Sequence, residues 1–180
     1  MKKIYDHIEE HLGTISTSWK LDEAPNVQVL KFENEIKPGV VTYVTLGLSN
    51  TELNIGNKFV RQELIFAANN QFEKGAIASF LLTFALHVKN SAKGLLRGEF
   101  VEGKPLIAGV NVTGIYSSIP VFWDEAFYEF ESVPPTIFVW LMPILESEAR
   151  FIKKFGWNAF ENELVDNNVD FWNLNRQSII

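Results

Sequence analysis

Cysteine is absent from this 180-residue sequence, and its absence alone excludes several classes of protein. Disulfide scaffolds, thiol catalysis and zinc sites with cysteine ligands all require it. Long hydrophobic runs are missing too: the longest apolar windows, residues 77–86 and 136–145, are about half the roughly 20 residues that a membrane-spanning helix needs. The chain turns polar directly after Lys2 and Lys3. We therefore expect no secretory signal, no membrane partner and a cytoplasmic location.

Basic residues are few relative to acidic ones. The 16 Lys and Arg stand against 22 Asp and Glu, which gives a formal net charge of -6. Proteins that bind nucleic acid broadly carry a basic surface, so we expect no direct nucleic-acid partner. Apolar residues, by contrast, make up 47% of the chain, with 15 Phe and 5 Trp. This composition is sufficient for a packed core, and the length corresponds to about one domain, residues 1–180.

Hydrophobic periodicity predicts an α+β fold. Period-2 patterns favour strands over residues 27–32, 40–48, 59–68, 126–131 and 136–142. Loops and short strands are expected over residues 95–101, 106–116 and 118–122. Helical spacing predicts a short first helix, a central buried helix and two C-terminal helices, over residues 3–12, 75–89, 146–155 and 158–165. The tail, residues 166–180, is expected to lack regular structure. These patterns predict a mixed or antiparallel sheet packed by the central helix and the C-terminal helices.

One short motif suggests catalysis. His7, Glu10 and His11 spell H-x-x-E-H, the inverted zinc-hydrolase pattern, and a helix would place both imidazoles on one face. The motif lies on a short helix at the start of the fold, and no segment supplies a further carboxylate ligand. We interpret it as a solvated helix face with ion-pairing histidines and keep a metal-dependent hydrolase as an alternative. No other catalytic signature occurs, so we expect no enzyme, no cofactor and no metal.

Aromatic and acidic residues alternate in residues 121–131, which we call the acidic aromatic segment. The simpler interpretation is a strand with Phe127 and Phe130 partly buried, because aromatic-rich strands are common core material. The other interpretation is a protein interface, since Trp and Tyr are frequent hot-spot residues and acids steer a basic partner. In that case Trp123 is exposed, and the candidate partner-binding residues are Trp123, Asp124, Glu125, Tyr128, Glu129 and Glu131.

Several short motifs follow one another along the chain: the runs at residues 42–49 and 61–64, a strand-like run to Pro143, Ser147-Glu148-Ala149, Gly156-Trp157, Phe160-Glu161 and Arg176-Gln177-Ser178. Their order resembles the Suppressor of fused family over roughly residues 25–178. Each element also has a physical interpretation. Pro143 lacks a ladder donor and is expected to end a strand, and Ser147 is expected to cap the next helix. Trp157 and Phe160 are expected to cover the core, and Arg176 to pin the tail to a carboxylate.

The resemblance implies an α+β domain without catalytic activity. Animal members restrain a transcription factor and carry a further C-terminal domain, for which this chain is too short. The sequence is more similar to the single-domain bacterial branch, whose members look like immunity proteins encoded beside secreted polymorphic toxins, often nucleases. We therefore expect a protein that neutralises a cognate toxin by stoichiometric occlusion. The alternative is a regulatory interaction module that restrains an unrelated intracellular protein.

Overall fold

A computed structural model describes residues 3–22, 26–33, 36–103 and 106–180. Within these ranges the helices are α1 (Ile4–Leu12), α2 (Lys74–Ser91), α3 (Glu146–Phe155) and α4 (Trp157–Asp166). The strands are β1 (Thr17–Lys20), β2 (Gln28–Glu33), β3 (Val40–Leu46), β4 (Leu53–Ile55), β5 (Lys58–Asn69), β6 (Phe100–Glu102), β7 (Gly114–Ser118), β8 (Glu129–Phe130) and β9 (Thr136–Ile144). Two 3₁₀ helices span Leu48–Asn50 and Glu125–Phe127.

The strands form a mixed sheet with the order β1-β2-β3-β5-β9-β7-β6, while β4 pairs with β5 and β8 with β9. The central pair, β5 and β9, is parallel, with Arg61 opposite Thr136 and Ile65 opposite Trp140. The other strand pairs of the described residues are antiparallel. The predicted α+β class with a mixed sheet is therefore confirmed.

Both faces of the sheet are buried, because successive side chains of a strand point to opposite sides. On β9, Val139 and Leu141 pack in the cluster that includes α2. Phe138, Trp140 and Met142 pack in a second cluster with α1, α3, α4 and the tail. The molecule thus has three layers, with α2 on one face of the sheet and the other helices on the opposite face.

The predicted helices all form, but the strand predicted over residues 126–131 is wrong. Asp124 accepts a hydrogen bond from the backbone N–H of Ala126 at 2.8 Å and so begins a 3₁₀ helix. Only β8, Glu129–Phe130, remains extended. The strands β1 and β4 were not predicted, because both are short and only partly buried.

Pro143 does not end β9, which continues to Ile144. The carbonyl of Ile144 accepts from Thr113 on the β7 side, so the backbone of Pro143 faces away from β7. On the opposite side of β9, the pairing with β5 has already ended at Trp140. A proline is tolerated there because no ladder donor is required of it. Ser147 also departs from the prediction: α3 begins at Glu146, and the Ser147 hydroxyl donates to Ser178 instead.

A buried ion pair fixes the C-terminal tail, as predicted for Arg176. Its two terminal nitrogens donate to the two carboxylate oxygens of Glu148 at 2.5 and 2.7 Å. Arg176 also donates to the carbonyl of Pro143. The tail has no helix or strand after Asp166, as expected. It is nevertheless packed, because Trp172 enters one core and Leu174 the other.

We expect Arg176→Met to lower the free energy of unfolding by about 3–5 kcal/mol, because it leaves the buried Glu148 carboxylate without its cationic partner. Urea unfolding followed by tryptophan fluorescence measures the change. The matched control is Arg150→Met, since the i,i+4 pair of Arg150 with Glu146 is exposed and its loss should cost less than about 1 kcal/mol. Equal losses in the two variants would contradict the role assigned to Arg176.

A second buried carboxylate, Glu63 on β5, holds the loop that follows β3. It accepts from the hydroxyls of Thr45 and Ser49 and from the backbone N–H groups of Gly47 and Ser49, at 2.5–3.0 Å. Burial raises the pKa of Glu63, and these donors oppose the rise. Gly47 is required in the loop, because its φ is +109° and a Cβ would lie 2.0 Å from the carbonyl oxygen of Asn26.

We expect Glu63→Gln to lower the free energy of unfolding by about 1–3 kcal/mol, because an amide nitrogen would face a hydrogen-bond donor. Chemical unfolding measures this change. Glu52→Gln is the control, since Glu52 is exposed and its ion pair with Arg61 should contribute less than about 1 kcal/mol. A Glu63→Gln protein as stable as the control would show that the carboxylate does not fix the loop.

Candidate protein-binding surface

The acidic aromatic segment is anchored by Phe127 and exposes its acids. The Phe127 side chain is fully buried, with its ring 4.4 Å from that of Phe138. Asp124, Glu125, Glu129 and Glu131 are exposed, and Tyr128 is half-buried. The segment therefore has a fixed backbone and a row of solvated carboxylates. That these residues bind a partner stays a prediction.

Trp123 is not exposed, contrary to the expectation. Only 9% of it is accessible, and its ring lies 6.0 Å from that of Trp140 and 6.2 Å from that of Trp172. Burial against two large rings is more favourable than the solvated position assumed for a hot spot. Trp123 can support the segment from beneath but does not present its ring to a partner. Its neighbours Val121 and Phe122 are exposed instead.

An apolar groove of about 240 Å³ opens beside the segment. We call it the aromatic groove and define it by Val121, Phe122, Trp140, Leu164, Val165 and Phe171. Val165 on α4 is 85% exposed and Phe122 is 42% exposed. Sequence reasoning missed this groove because its residues come from three distant parts of the chain. The periodicity of α4 identifies a helix but does not indicate which apolar residue stays in solvent.

Arg97 and Glu161 close one side of the aromatic groove. Arg97 donates to Glu161 from Nε at 3.0 Å and from Nη2 at 2.5 Å, and the Tyr116 hydroxyl donates to Glu161 at 2.7 Å. Burial alone would raise the pKa of Glu161, but the hydrogen bonds from Arg97 and Tyr116 outweigh it and lower the pKa. Glu161 is therefore ionised at neutral pH, and its ion pair occupies Arg97.

The charge of the chain is unevenly divided. Residues 1–104 contain twelve acidic and twelve basic residues, whereas residues 105–180 contain ten acidic and four basic ones. The whole net charge of -6 therefore falls in the part that builds the acidic aromatic segment and most of the aromatic groove. Three exposed acids lie within two residues of groove residues in the chain: Asp124 two residues after Phe122, Asp166 directly after Val165, and Asp170 directly before Phe171.

Trp157 only partly fulfils the role expected of it. Phe160 is fully buried, as predicted, but Trp157 is exposed on the surface. The guanidinium of Arg97 lies 5.4 Å from the centre of its ring. This cation–π contact fixes Arg97 from one side while Glu161 fixes it from the other. Trp157 therefore helps to position the charged wall of the aromatic groove.

The H-x-x-E-H motif is not the solvated face that was expected, because His7 is only 5% exposed. Its Nε2 lies 3.3 Å from the carbonyl oxygen of Phe127, and its ring packs against those of Phe130 and Phe138. His11 does pair with an acid, with Nδ1 3.9 Å from Asp124. Among the described residues, no three His, Asp or Glu side chains converge in a way that could hold a metal ion.

We expect neither excess EDTA nor added zinc to change the free energy of unfolding, because His7 is held by aromatic packing and a carbonyl. A ligand that binds the folded state with useful affinity would raise stability measurably. Thermal unfolding with and without each reagent, together with the metal content of the purified protein, checks this. A stabilisation by zinc that disappears in His11→Ala would instead support the hydrolase alternative.

The comparisons with known proteins agree with this fold. The profile of the Suppressor of fused protein family matches residues 23–177, and the chain belongs to that family. Immunity protein YqcF of Bacillus subtilis (strain 168) is 24% identical over 182 residues, which cover 92% of this chain and 88% of the relative.

Solved structures share the architecture. A suppressor of fused homologue from Neisseria gonorrhoeae FA 1090 matches with a TM-score of 0.77 and 20% identity, over 98% of this chain and 94% of its own. A chain of the Sufu-Fu complex matches with a TM-score of 0.71 and 13% identity, over 98% of this chain and 90% of its own. Drosophila Suppressor of Fused gives a TM-score of 0.62 and 14% identity, and the match spans 84% of this chain but 42% of that one. At these identities the likeness shows the fold.

None of the helices in the described ranges combines the length and the hydrophobicity that crossing a membrane requires.

Proposed function

We propose that the protein is an immunity protein that binds a cognate protein toxin and neutralises it by stoichiometric occlusion. The observation that carries this proposal is the similarity to an immunity protein over 92% of this chain and 88% of the relative. The family supports a role in protein binding rather than catalysis. The protein acts in the cytoplasm, where a toxin would otherwise damage the cell that makes it.

The exposed carboxylates supply the physical basis for occlusion. If the toxin is a nuclease, its substrate cleft must attract phosphate and is therefore basic. Asp124, Glu125, Glu129 and Glu131 present negative charge on a backbone that the buried Phe127 holds in place. Such a surface occupies a basic cleft without catalytic chemistry, and its charge accelerates association at low ionic strength. The half-buried Tyr128 adds apolar contact within this row.

Co-expression with a toxin encoded beside the gene tests the proposal. We expect growth to be restored, a 1:1 complex to be recovered, and affinity to fall as salt is added, because exposed charges are screened. The matched variant carries Asp124→Asn, Glu125→Gln, Glu129→Gln and Glu131→Gln together, which keeps size and, through Asn, the 3₁₀ helix cap. We expect it to bind at least tenfold more weakly while remaining folded.

Two results would contradict the proposal. Cells that die as readily with the protein as without it, with no complex formed, would exclude an immunity function against that toxin. Recovery of an unrelated intracellular protein as the specific partner would favour the regulatory alternative. That alternative is suggested by the complex with Fu that a structural neighbour forms.

A further inference from the structure

Three apolar side chains of the aromatic groove stay in solvent although the core beside them is closely packed. Val165 is 85% exposed, Val121 52% and Phe122 42%. Single exposed apolar residues are ordinary, but several that line one concave surface are typical of an interaction site. The groove is therefore a candidate for contact with another molecule.

Rigid aromatic rings form the floor of the groove. The ring of Phe122 lies 5.4 Å from those of Trp140 and Phe171 and 5.1 Å from that of Trp172. Trp140 and Trp172 are themselves buried. Side chains already held by their neighbours lose little conformational entropy when a partner binds. The groove is thus preorganised to receive an apolar side chain.

The charges of α4 point to the kind of partner. Helix α3 follows the electrostatic rule for helices, with Glu146 and Glu148 in its first turn and Lys153 and Lys154 in its last. Helix α4 departs from it: no acid lies in its first turn and no base in its last. Asp166 instead ends the helix, where a carboxylate opposes the helix dipole.

An arrangement that weakens a helix is expected where function requires it. Asp166 follows the exposed Val165 directly, and Asp170 precedes Phe171. The basic side chain that lines the groove, Arg97, is paired with Glu161. Two exposed carboxylates therefore adjoin groove residues along the chain, and the positive charge of Arg97 is already neutralised.

From these observations we infer that the aromatic groove binds a basic segment of the partner protein, with one apolar side chain of that segment in the groove and its Lys or Arg side chains on Asp166 and Asp170. The inference rests on the proposed function in taking the toxin as the physiological partner. It assigns a second contact surface beside the acidic aromatic segment. It also predicts a partner that combines positive charge with an apolar anchor, rather than charge alone.

A library of displayed random peptides, selected on the immobilised protein, tests the groove without a toxin. We expect the enriched peptides to combine Lys or Arg with an aromatic or aliphatic residue. Val165→Lys should weaken their binding about tenfold or more, because it places a positive charge in the groove and removes an apolar contact. The matched control is Val133→Lys, since Val133 is 94% exposed and precedes Thr136, the first residue of β9. In this control, peptide binding should change less than about twofold.

Asp166→Asn separates binding from folding. Removing a carboxylate from the C-terminal end of α4 should leave the thermal midpoint unchanged or raise it. The same change should weaken peptide binding about two- to fivefold at low salt. A purely structural role for Asp166 predicts that both readouts move in the same direction. A stabilised variant with unchanged affinity would contradict the inference.

Other outcomes would overturn the inference as well. These are a selection that enriches no peptide, one that enriches acidic peptides, and one whose peptides bind Val165→Lys as well as wild type. A concentration-dependent dimer that Val165→Lys abolishes would make a second copy of this chain the occupant.

The toxin assay distinguishes failure of the groove from failure of the proposed function. If Val165→Lys neutralises the toxin with unchanged affinity, the groove assignment is wrong while the immunity function stands. If the peptides select as expected but no toxin is neutralised, the immunity function is wrong while the groove assignment stands.

Discussion

The bidentate pair between Arg176 and Glu148 is the contact on which the packing opposite α2 depends, where α1, α3, α4 and the tail cover the sheet. It joins the last residues of the chain to the first turn of α3 in a place without solvent, and it also reaches the carbonyl of Pro143 on β9. A charge pair in such a position must be complete, because either partner alone would be strongly destabilising. The pair therefore fixes the irregular tail against α3 and β9.

The tail in turn builds the surface that we assign to binding. Trp172 lies beneath both Trp123 and Phe122, and Phe171 forms part of the aromatic groove. The acidic aromatic segment is supported from the other side by Phe127 under α1. A partner surface made of loops and a tail thus gains a rigid base, because the rings below it are fixed by the sheet. On the opposite face, Leu174 of the same tail packs in the cluster that includes α2.

Much of the architecture follows from periodicity. The central helix, the two C-terminal helices and the strands β3, β5 and β9 are long and strongly patterned, so local pattern and tertiary packing agree there. The strand expected over residues 126–131 fails because one side chain, Asp124, offers the backbone a competing hydrogen bond. The continuation of β9 through Pro143 depends on which neighbour the strand has at that point, and a single strand read alone does not contain that information.

The amino-acid sequence by itself determined the fold class, the acidic balance and the pairing of Arg176 with a carboxylate, because these follow from composition and local pattern. It also indicated the family, through the resemblance that the order of its motifs bears to known members. Only the tertiary structure decided that Trp123 and His7 are buried, that Val165 and Phe122 are exposed, and that residues near positions 122, 140, 165 and 171 meet in one groove. Whether a side chain is exposed depends on which segments pack over it, and in this protein those segments are many residues away in the chain.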